Sequence, residues 1–315
     1  MLLSREQIDE QQWNTFVEKS PQGYIYHYTW YLDVVCPNWK AIVVKNNQEW
    51  LAVMPLNLKQ KWGIKYILQP PLCQFLGILF APQSTKLYKQ LSDKKDWVSE
   101  IIAHIPKDVK LFNYNFSPYF DYPLPFYWQK YNLLTRFNYE LDLSISAHSL
   151  IENIYPRVRR YIRNAEKESE LEVQVSTDID AFLCNQKQTQ RFFFNSYFQN
   201  LAKELYNRAY TKGKATLLLA TQKNKIITGT LLLHYKNSWI NFYGLSKNEQ
   251  ENEQAAVEIL LWNAILLAKQ NGATRFDFEG SMIEGVERIF RRFGAKPVPY
   301  LNITKNALPI FLRWL

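Results

Sequence analysis

Alternating and continuous runs of apolar residues predict the same order of elements twice along this chain. In the first half the predicted strands are 39–45, 49–58 and 64–69, followed by a helix over about 85–105 and a strand over 109–116. In the second half the predicted strands are 215–221, 226–235 and 239–245, followed by a helix over about 253–270 and a strand over 274–279. A hairpin, a strand, a helix and a strand in both halves indicate two copies of one α/β unit.

Further helical patterns precede each hairpin. They cover 11–19 and 28–35 in the first half, and 150–168 and 178–208 in the second, with a short strand over 171–176 between the last two. The proline-rich stretch 117–126 reads as the connection between the halves, and the boundary is predicted near Asn138. The domains expected are therefore 1–137 and 138–299. The apolar end of the chain, from about 300 to 315, is expected to pack on the first domain.

Composition bounds the class of protein. With 315 residues, of which 47% are hydrophobic, two domains with real cores are more probable than one. The first ten residues turn polar at once, unlike a signal peptide, and no apolar run approaches the roughly 18 residues of a membrane span. Cys36, Cys73 and Cys184 lie far apart and show no metal-binding spacing. These features favour a reduced, cytoplasmic protein.

The chain carries 38 Lys and Arg residues against 29 Asp and Glu, a formal charge of +9. This excess would attract an anionic ligand such as a nucleotide, a tRNA or coenzyme A. It is equally compatible with a role in solubility alone.

The most informative stretch is 276–281 together with 286–294. A strand here would direct Phe276 and Phe278 to one side and the two intervening carboxylates to the other. Gly280 and Ser281 would let the backbone turn and start a basic helix, whose free N–H groups would face the end of the strand. Such a corner suits an anion or an oxyanion, although an ordinary strand-to-helix connection has the same pattern.

A second candidate is the basic helix over 154–167. Its apolar positions recur every three or four residues and form the predicted buried stripe: Tyr155, Val158, Ile162 and Ala165. Its basic positions fall on another face: Arg159, Arg160, Arg163 and Lys167. This face is either a solvated surface or a site for phosphate or carboxylate groups, which arginine forks clamp.

The first half contributes weaker candidates. The run 69–77 (QPPLCQFLG) ends a strand with two prolines and places the amides of Gln69 and Gln74 in a loop. These amides would read a peptide or a sugar, or only hold the loop. The aromatic stretch 23–30, which includes Trp30, would line a cleft or pack in the core.

Conventional catalytic signatures are missing from the sequence. The histidines (His27, His104, His148 and His234) lie in no HExxH or triad-like context, and there is no GxSxG, P-loop or GxGxxG pattern. Nothing indicates nucleophilic or metal catalysis. An enzyme of this kind would position two substrates and stabilise charge.

The quoted segments resemble a known family. PRVRRYIRNAEKE, the strands ATLLLAT, IITGTLLLHY and WINFYGL, the long helix, and FDFEGS followed by RIFRRFG resemble the second half of Fem-type peptidyltransferases and the related FemAB-like acetyltransferases of the GNAT superfamily. The first half, with its W-Y-L at 30–32 and its QPP run, resembles the N-terminal half of bacterial members. The resemblance spans nearly the whole chain and is carried by pattern.

The resemblance implies an α/β (α+β) fold with two GNAT-like domains, each a mixed β-sheet flanked by helices. Fem enzymes move an amino acid from aminoacyl-tRNA to an amine of a peptidoglycan precursor, and related proteins use acyl-CoA. The resemblance therefore implies aminoacyl-tRNA or acyl-CoA as the co-substrate and no tightly bound cofactor. It also implies that the second domain binds the donor and that the junction between the domains binds the acceptor. The oligomeric state stays open.

Two departures from the family pattern stand out. GNAT acetyltransferases carry a glycine-rich loop before the helix that follows the third repeat strand, whereas 245–252 (LSKNEQEN) has no glycine and is net acidic. A pyrophosphate would find no glycine cradle there. The long antiparallel helical arm of some Fem members is also absent from the pattern over 137–315.

The resemblance and the residues together give a set of candidate roles. Glu279 and Tyr243 are the candidates for proton transfer. The candidates for donor or anion binding are Arg159, Arg160, Arg163, Gly280, Ser281, Arg288 and Lys296. The candidates for acceptor binding are Trp30, Gln69 and Gln74. The alternative is a non-catalytic tandem module that binds RNA or a cell-wall precursor without turnover.

Overall fold

The computed structural model describes residues 1–83, 86–168, 171–189, 196–244 and 251–308. The chain divides into two compact units. Unit 1 comprises Met1–Arg136 and Pro299–Leu315, and unit 2 comprises Phe137–Val298.

Unit 1 begins with a short strand and two helices and continues as alternating strands and helices. Its elements in chain order are β1 (Leu2–Ser4), α1 (Glu10–Lys19), α2 (Thr29–Val35), β2 (Lys40–Asn46), β3 (Glu49–Leu56), β4 (Leu58–Lys61), β5 (Ile64–Leu68), β6 (Leu79–Phe80), α3 (Leu87–His104), β7 (Val109–Asn115) and α4 (Leu124–Trp128).

Unit 2 also consists of strands and helices that follow one another along the chain. β8 (Asn132–Asp142) begins in unit 1 and continues into unit 2 from Phe137. The further elements of unit 2 are α5 (Ala147–Asn153), α6 (Pro156–Glu168), β9 (Leu171–Ser176), α7 (Ile179–Thr189), α8 (Ser196–Thr211), β10 (Ala215–Gln222), β11 (Lys225–Tyr235), β12 (Ser238–Gly244), α9 (Glu251–Gln270), β13 (Arg275–Gly280) and α10 (Glu284–Arg292). A last strand, β14 (Lys296–Asn306), follows α10.

The strands of unit 1 belong to two sheets, whereas the sequence predicted a single succession of strands in one α/β unit. β1, β2, β3 and β6 pair in that order, all antiparallel. β4 pairs with β5, and β5 is parallel to β7. The chain changes sheet at the buried Asn57, whose backbone N–H donates to Tyr114 Oη at 2.7 Å and whose Nδ2 donates to the carbonyl of Leu68 at 3.0 Å.

In unit 2 the strands pair in the order β8-β13-β12-β11-β10-β9. Only the β12–β13 pair is parallel among the pairings described in this sheet segment, and α9 forms the crossover between its two strands. The predicted strand–strand–strand–helix–strand order is therefore present, with bounds that shift by a few residues. The mixed α/β class predicted from the sequence is confirmed.

The predicted helices of unit 2 are subdivided. The helix predicted over 150–168 is two helices, because Pro156 lacks the N–H needed to continue α5 and instead opens α6. The helix predicted over 178–208 appears as α7 and α8, and residues 190–195 lie outside the described part of the chain.

One face of the unit 2 sheet packs on α6, α9 and α10. Val158 and Ile162 of α6, Leu260 of α9 and the paired rings of Phe276 and Phe278 all belong to this core. The two phenylalanine rings lie 5.0 Å apart, so they share a face as the alternation predicted. Residues between the core positions of β8, β12 and β13 consequently point to the opposite face.

The predicted buried stripe of α6 needs one correction. Val158 and Ile162 are buried, but Tyr155 is 51% exposed. Tyr155 precedes the helix, and its backbone N–H donates to the carbonyl of Arg292 at 2.8 Å. The guanidinium of Arg292 lies 5.7 Å from the centre of the Tyr155 ring. Tyr155 therefore contacts α10 and does not enter the core.

The last described residues of the chain join unit 1. Residues Asn302 to Asn306 of β14 pair antiparallel with β7. The N–H of Ala307 donates to the carbonyl of Lys110 at 2.8 Å, and Leu308 is buried. Residues 309–315 lie outside the described part, so packing of the rest of the tail stays a prediction.

Across the described ranges, none of the helices combines the length and the apolar character needed to cross a membrane.

Candidate functional site

The parallel strands β12 and β13 separate at their carboxyl ends. Their matched positions run from Ser238 with Arg275 to Ile240 with Asp277, after which β12 continues to Gly244 and β13 to Gly280. In α/β sheets, ligands bind outside the carboxyl ends of parallel strands. We call this region, formed by residues 241–244 and 278–281, the carboxyl edge.

Tyr243 is placed at the carboxyl edge by an irregularity in β12. Leu232 pairs with Asn241 while Leu231 pairs with Tyr243, so Phe242 is an extra residue in the strand. The ring of Tyr243 meets Phe182 of α7 edge-on, with centroids 6.0 Å apart. Burial of the hydroxyl raises the pKa of Tyr243 above its ordinary value of 10.0, so the phenol carries its proton at neutral pH.

Gly244 closes β12 in a position that admits no side chain. Its φ is +125°, and an added Cβ would lie 2.4 Å from the carbonyl oxygen of Gly229 on β11. The close approach of these two strands at Gly229 and Gly244 therefore requires glycine at position 244.

Glu279 adopts a left-handed backbone conformation, with φ of +59°. The sequence predicted a turn at Gly280 and Ser281, whereas the left-handed residue is Glu279, and Gly280 is not among the described glycines with positive φ. An aspartate two residues earlier explains the difference: Asp277 Oδ1 accepts the N–H of Glu279 at 2.8 Å. Non-glycine residues in this region are uncommon and cluster at functional sites.

Asn138 supports the same turn and was not among the sequence candidates. It is fully buried on β8, and its Nδ2 donates to Asp277 Oδ1 at 3.0 Å. Among the described residues its Oδ1 has no hydrogen-bond partner. The available signal was the alternation over 137–143, in which Asn138, Glu140 and Asp142 share one side of the strand and apolar residues share the other.

The start of α10 lies beyond Gly280 and Ser281, the residues predicted to bind an anion. The helix begins at Glu284, and Ser281 Oγ accepts the N–H of Ile283 at 3.1 Å. The first turn carries Glu284 and Glu287, which would repel an anion. Arg288 is exposed on the same helix.

The arginines of α6 share a surface as predicted, but they differ in burial. Arg160 and Arg163 are exposed, and the guanidinium of Arg160 lies 5.9 Å from the centre of the Tyr161 ring. Arg159 is half-buried, and its Nε is a buried donor with no partner among the described residues. The side chain of Lys167 lies outside the described part.

Lys296 lies away from the carboxyl edge. Lys296 is the first residue of β14. Together with Ser144 it lowers the pKa of Asp142. Asp142 is the strand-pairing partner of Arg275, the first residue of β13. Arg275 and Glu279 lie four strand residues apart, about 13 Å. The structure therefore groups Lys296 with the amino end of β13 and not with Gly280 and Ser281.

The acceptor candidates of unit 1 are engaged within that unit. Gln69 Nε2 donates to the carbonyl of Cys73 at 2.8 Å, and its Oε1 accepts the N–H of Asn115 at 3.1 Å. Gln74 Nε2 donates to Tyr300 Oη at 3.4 Å. Trp30 is 7% exposed and stacks at 6.1 Å on Tyr28. These contacts hold the three side chains within unit 1, and their role in binding an acceptor stays a prediction.

Two further predictions concern metal binding and the segment 245–252. In the described ranges, no group of three or more His, Cys, Asp or Glu side chains is arranged to hold a metal ion. The glycine-free segment predicted to replace a pyrophosphate cradle falls on 245–252, of which 245–250 lie outside the described residues.

Comparison with known proteins identifies the fold. Residues 155–288 match the family model described as an acetyltransferase (GNAT) domain. No curated protein sequence matches the chain.

Solved structures extend the likeness to both units. A crystal structure of FemX is 14% identical, covers 93% of this chain and 96% of its own, and superposes with a TM-score of 0.67. A tandem GNAT protein from the clavulanic acid biosynthesis pathway is 9% identical, with coverage of 98% and 99% and a TM-score of 0.57. L-PGS from Bacillus licheniformis is 10% identical, with coverage of 96% and 94% and a TM-score of 0.56. The chain has a Fem-like form of the GNAT-superfamily fold.

Proposed function

We propose that this chain is an acyltransferase that moves an activated acyl or aminoacyl group from an ester or thioester to an amine. The observation that carries the proposal is the position of Tyr243 and Glu279 at the carboxyl edge of unit 2, and we propose these two side chains as the proton-transferring groups. A protonated phenol, Tyr243, and a carboxylate held in a strained turn, Glu279, end two adjacent parallel strands. The GNAT-type fold and the family match over 155–288 support acyl transfer in general.

The proposed reaction needs two proton transfers. The amine nitrogen attacks the donor carbonyl carbon, and the carboxylate of Glu279 takes a proton from that nitrogen. As the tetrahedral intermediate collapses, the new C–N bond is retained and the bond to the donor oxygen or sulfur breaks. Tyr243 donates its phenolic proton to that leaving atom, and solvent returns the proton from Glu279 to the tyrosinate. Atoms and charge balance over the cycle.

The turn at Glu279 suits this role. Asp277 and Asn138 hold the backbone N–H of Glu279 and the turn around it through bonds of 2.8 and 3.0 Å. A fixed backbone restricts where the carboxylate can lie, and a well-placed base needs less reorganisation during the reaction.

The donor is proposed to be anionic, with aminoacyl-tRNA preferred over acyl-CoA. The exposed arginines Arg160 and Arg163 present a basic surface on α6. The absence of glycine from the sequence 245–252 disfavours a pyrophosphate cradle there. The resemblance of the sequence to Fem-type peptidyltransferases points the same way, and it also implies an amine of a peptidoglycan precursor as the acceptor. Units 1 and 2 are proposed to be the two GNAT-type domains.

The test is mass spectrometry of the acceptor after incubation with the purified protein. One arm supplies charged tRNA with a nucleotide-linked muropeptide, and the other supplies acetyl-CoA with the same acceptor. We expect a gain of one aminoacyl mass in the first arm. A gain only in the second arm would replace the donor assignment, and no gain in either, with retained tRNA binding, would favour the non-catalytic binding module.

Glu279→Gln removes the base and keeps the shape of the side chain. We expect its transfer rate to fall by about 10²- to 10⁴-fold, the usual contribution of general base catalysis. Glu284→Gln is the matched control, because Glu284 is an exposed glutamate in the nearby first turn of α10. An unchanged rate in Glu279→Gln, with the protein folded, would make Glu279 structural.

A further inference from the structure

Unit 2 contains a concave region at the amino ends of β12 and β13, which are the ends opposite to the carboxyl edge. It encloses about 640 Å³, which is within the usual range for small-molecule sites. Its walls include Ser238 and Arg275, the first residues of β12 and β13, and Lys296, the first residue of β14. We call it the amino-end cleft.

Charged groups converge on the amino-end cleft from four separate segments. Lys236 comes from the β11–β12 turn, Arg275 from β13 and Lys296 from β14, while Glu140 and Asp142 come from β8. Three cations thus face two carboxylates. A surplus of positive charge in a concave site favours an anionic group.

Each of the two carboxylates has a nearby partner. Asp142 Oδ1 accepts the N–H of Ser144 at 2.8 Å and its Oγ–H at 2.7 Å, and these bonds lower the pKa of Asp142. Glu140 meets Arg275 at 3.5 Å, which is long for a charge-assisted bond. A ligand oxygen that binds Arg275 at this point would have to replace the contact with Glu140.

Arg275 is oriented by its neighbour. Its Nε donates to the buried Ser238 Oγ at 2.7 Å, which fixes the plane of the guanidinium in the wall of the cleft. A guanidinium with a fixed plane recognises the paired oxygens of a carboxylate or phosphate better than a flexible ammonium does.

A chain of polar contacts leads from the cleft to the carboxyl edge. Arg275 Nη1 meets Glu140, and Asn138 Nδ2 donates to Glu140 Oε1 at 3.4 Å. The same Nδ2 donates to Asp277 Oδ1 at 3.0 Å, and Asp277 Oδ1 accepts the N–H of Glu279 at 2.8 Å. These side chains lie on the sheet face opposite the helix-packed core.

We propose that the amino-end cleft binds a small ligand through a carboxylate or phosphate group, and that binding alters the hydrogen bonds of Asn138. The ligand oxygens would displace Glu140 from Arg275, and Glu140 would then compete with Asp277 for the Asn138 amide. The binding site is independent of the proposed acyl transfer. Only the consequence for Glu279, a shift in its proton-accepting position, rests on the proposed function.

The test is calorimetric titration of the full-length protein with inorganic phosphate and, separately, with acetate, both against sodium chloride at matched ionic strength. We expect saturable binding of at least one of the two anions, and the stronger binder identifies the group. Arg275→Ala should weaken it about tenfold or more, because a charge-assisted bond is removed. Arg275→Lys keeps the positive charge but loses the planar guanidinium, so its affinity for the anion should lie between those of the wild-type protein and Arg275→Ala.

Lys225→Ala is the control for loss of a positive charge, because Lys225 is exposed at the start of β11 and outside the cleft. Thermal unfolding verifies that each variant is folded. No saturable binding of either anion, or equal weakening by Lys225→Ala and Arg275→Ala, would overturn the site.

The coupling is tested by nuclear magnetic resonance of the Asn138 side-chain amide during the same titration. A shift of this resonance in the wild-type protein, absent in Arg275→Ala, is the expected result. Binding that leaves the Asn138 resonance unmoved would overturn the coupling while retaining the site. Neither readout requires turnover, so failure of the acyl-transfer proposal would leave both results interpretable.

Discussion

At the scale of single residues, Glu279 combines an unfavourable backbone with a chemically useful side chain. A non-glycine residue at φ of +59° costs roughly 1 kcal/mol or more relative to an unstrained position. Glycine follows immediately in the sequence, yet the left-handed turn falls on the glutamate. A carboxylate on a left-handed backbone, at the end of the strand next to the one that carries Tyr243, is expected where function has been favoured over stability.

This trade-off predicts opposite effects on stability and activity. Glu279→Gly should raise the free energy of unfolding by about 1 kcal/mol, because glycine adopts the turn without strain, while transfer activity is lost with the carboxylate. Glu284→Gly is the control. Its change lies in the first turn of α10 and should lower stability by up to about 1 kcal/mol. Urea unfolding measures both, and a less stable Glu279→Gly would contradict the strain argument.

At the scale of elements, α6 presents different surfaces to the core and to its surroundings. Val158 and Ile162 anchor it in the core of unit 2, and Arg160 and Arg163 remain exposed. An amphipathic helix needs only the apolar positions for packing, so its exposed arginines are available for an anionic partner.

The element-scale prediction concerns binding of tRNA. Arg160→Glu combined with Arg163→Glu should weaken binding and lower the slope of log K against log salt by about two, since each lost phosphate contact contributes close to one. Arg208→Glu with Lys212→Glu makes the same charge change at the end of α8. Filter binding at several salt concentrations compares the two variants. Equal effects would mean that general charge, and not α6, attracts the polyanion.

At the scale of the whole molecule, each unit carries one histidine that its surroundings keep neutral. Burial lowers the pKa of His27 in unit 1 to about 3 and that of His234 in unit 2 to about 4. His27 Nδ1 accepts the N–H of Tyr24 at 3.2 Å, and His234 stacks on Trp239 with centroids 4.0 Å apart. In the unfolded chain both would titrate near their ordinary pKa of 6.5.

The sign of the pH effect follows directly. Between pH 6.5 and about 4 the unfolded chain binds more protons than the folded chain, so acidification favours unfolding. Each such histidine should lower the free energy of unfolding by up to about 1.4 kcal/mol per pH unit in that window. His27→Asn keeps an acceptor for the Tyr24 N–H and should flatten the dependence, whereas His148→Gln, at a side chain that is 80% exposed, should not. Denaturation curves at pH 7 and 4.5 provide the measurement.

The local pattern of the sequence was sufficient for the strand–strand–strand–helix–strand order of unit 2 and for the shared face of Phe276 and Phe278. It also placed Glu279 at the end of one strand and Tyr243 on the neighbouring strand. These features depend on periods of two and 3.6 residues and on strand–helix order, which are properties of short segments. The local pattern missed β8 and β14, and it did not divide the segments 49–58, 150–168 and 178–208.

Tertiary structure decided the features that depend on partners distant in the chain. Asn138 contacts Asp277 across 139 positions, and that contact belongs to the support of the turn at Glu279. Strand pairing likewise set Lys296 beside Asp142 instead of Gly280, and the contact with Arg292 kept Tyr155 out of the core. No local periodicity encodes which strands become neighbours, so the sequence by itself determined the elements and the packed chain determined which side chains meet.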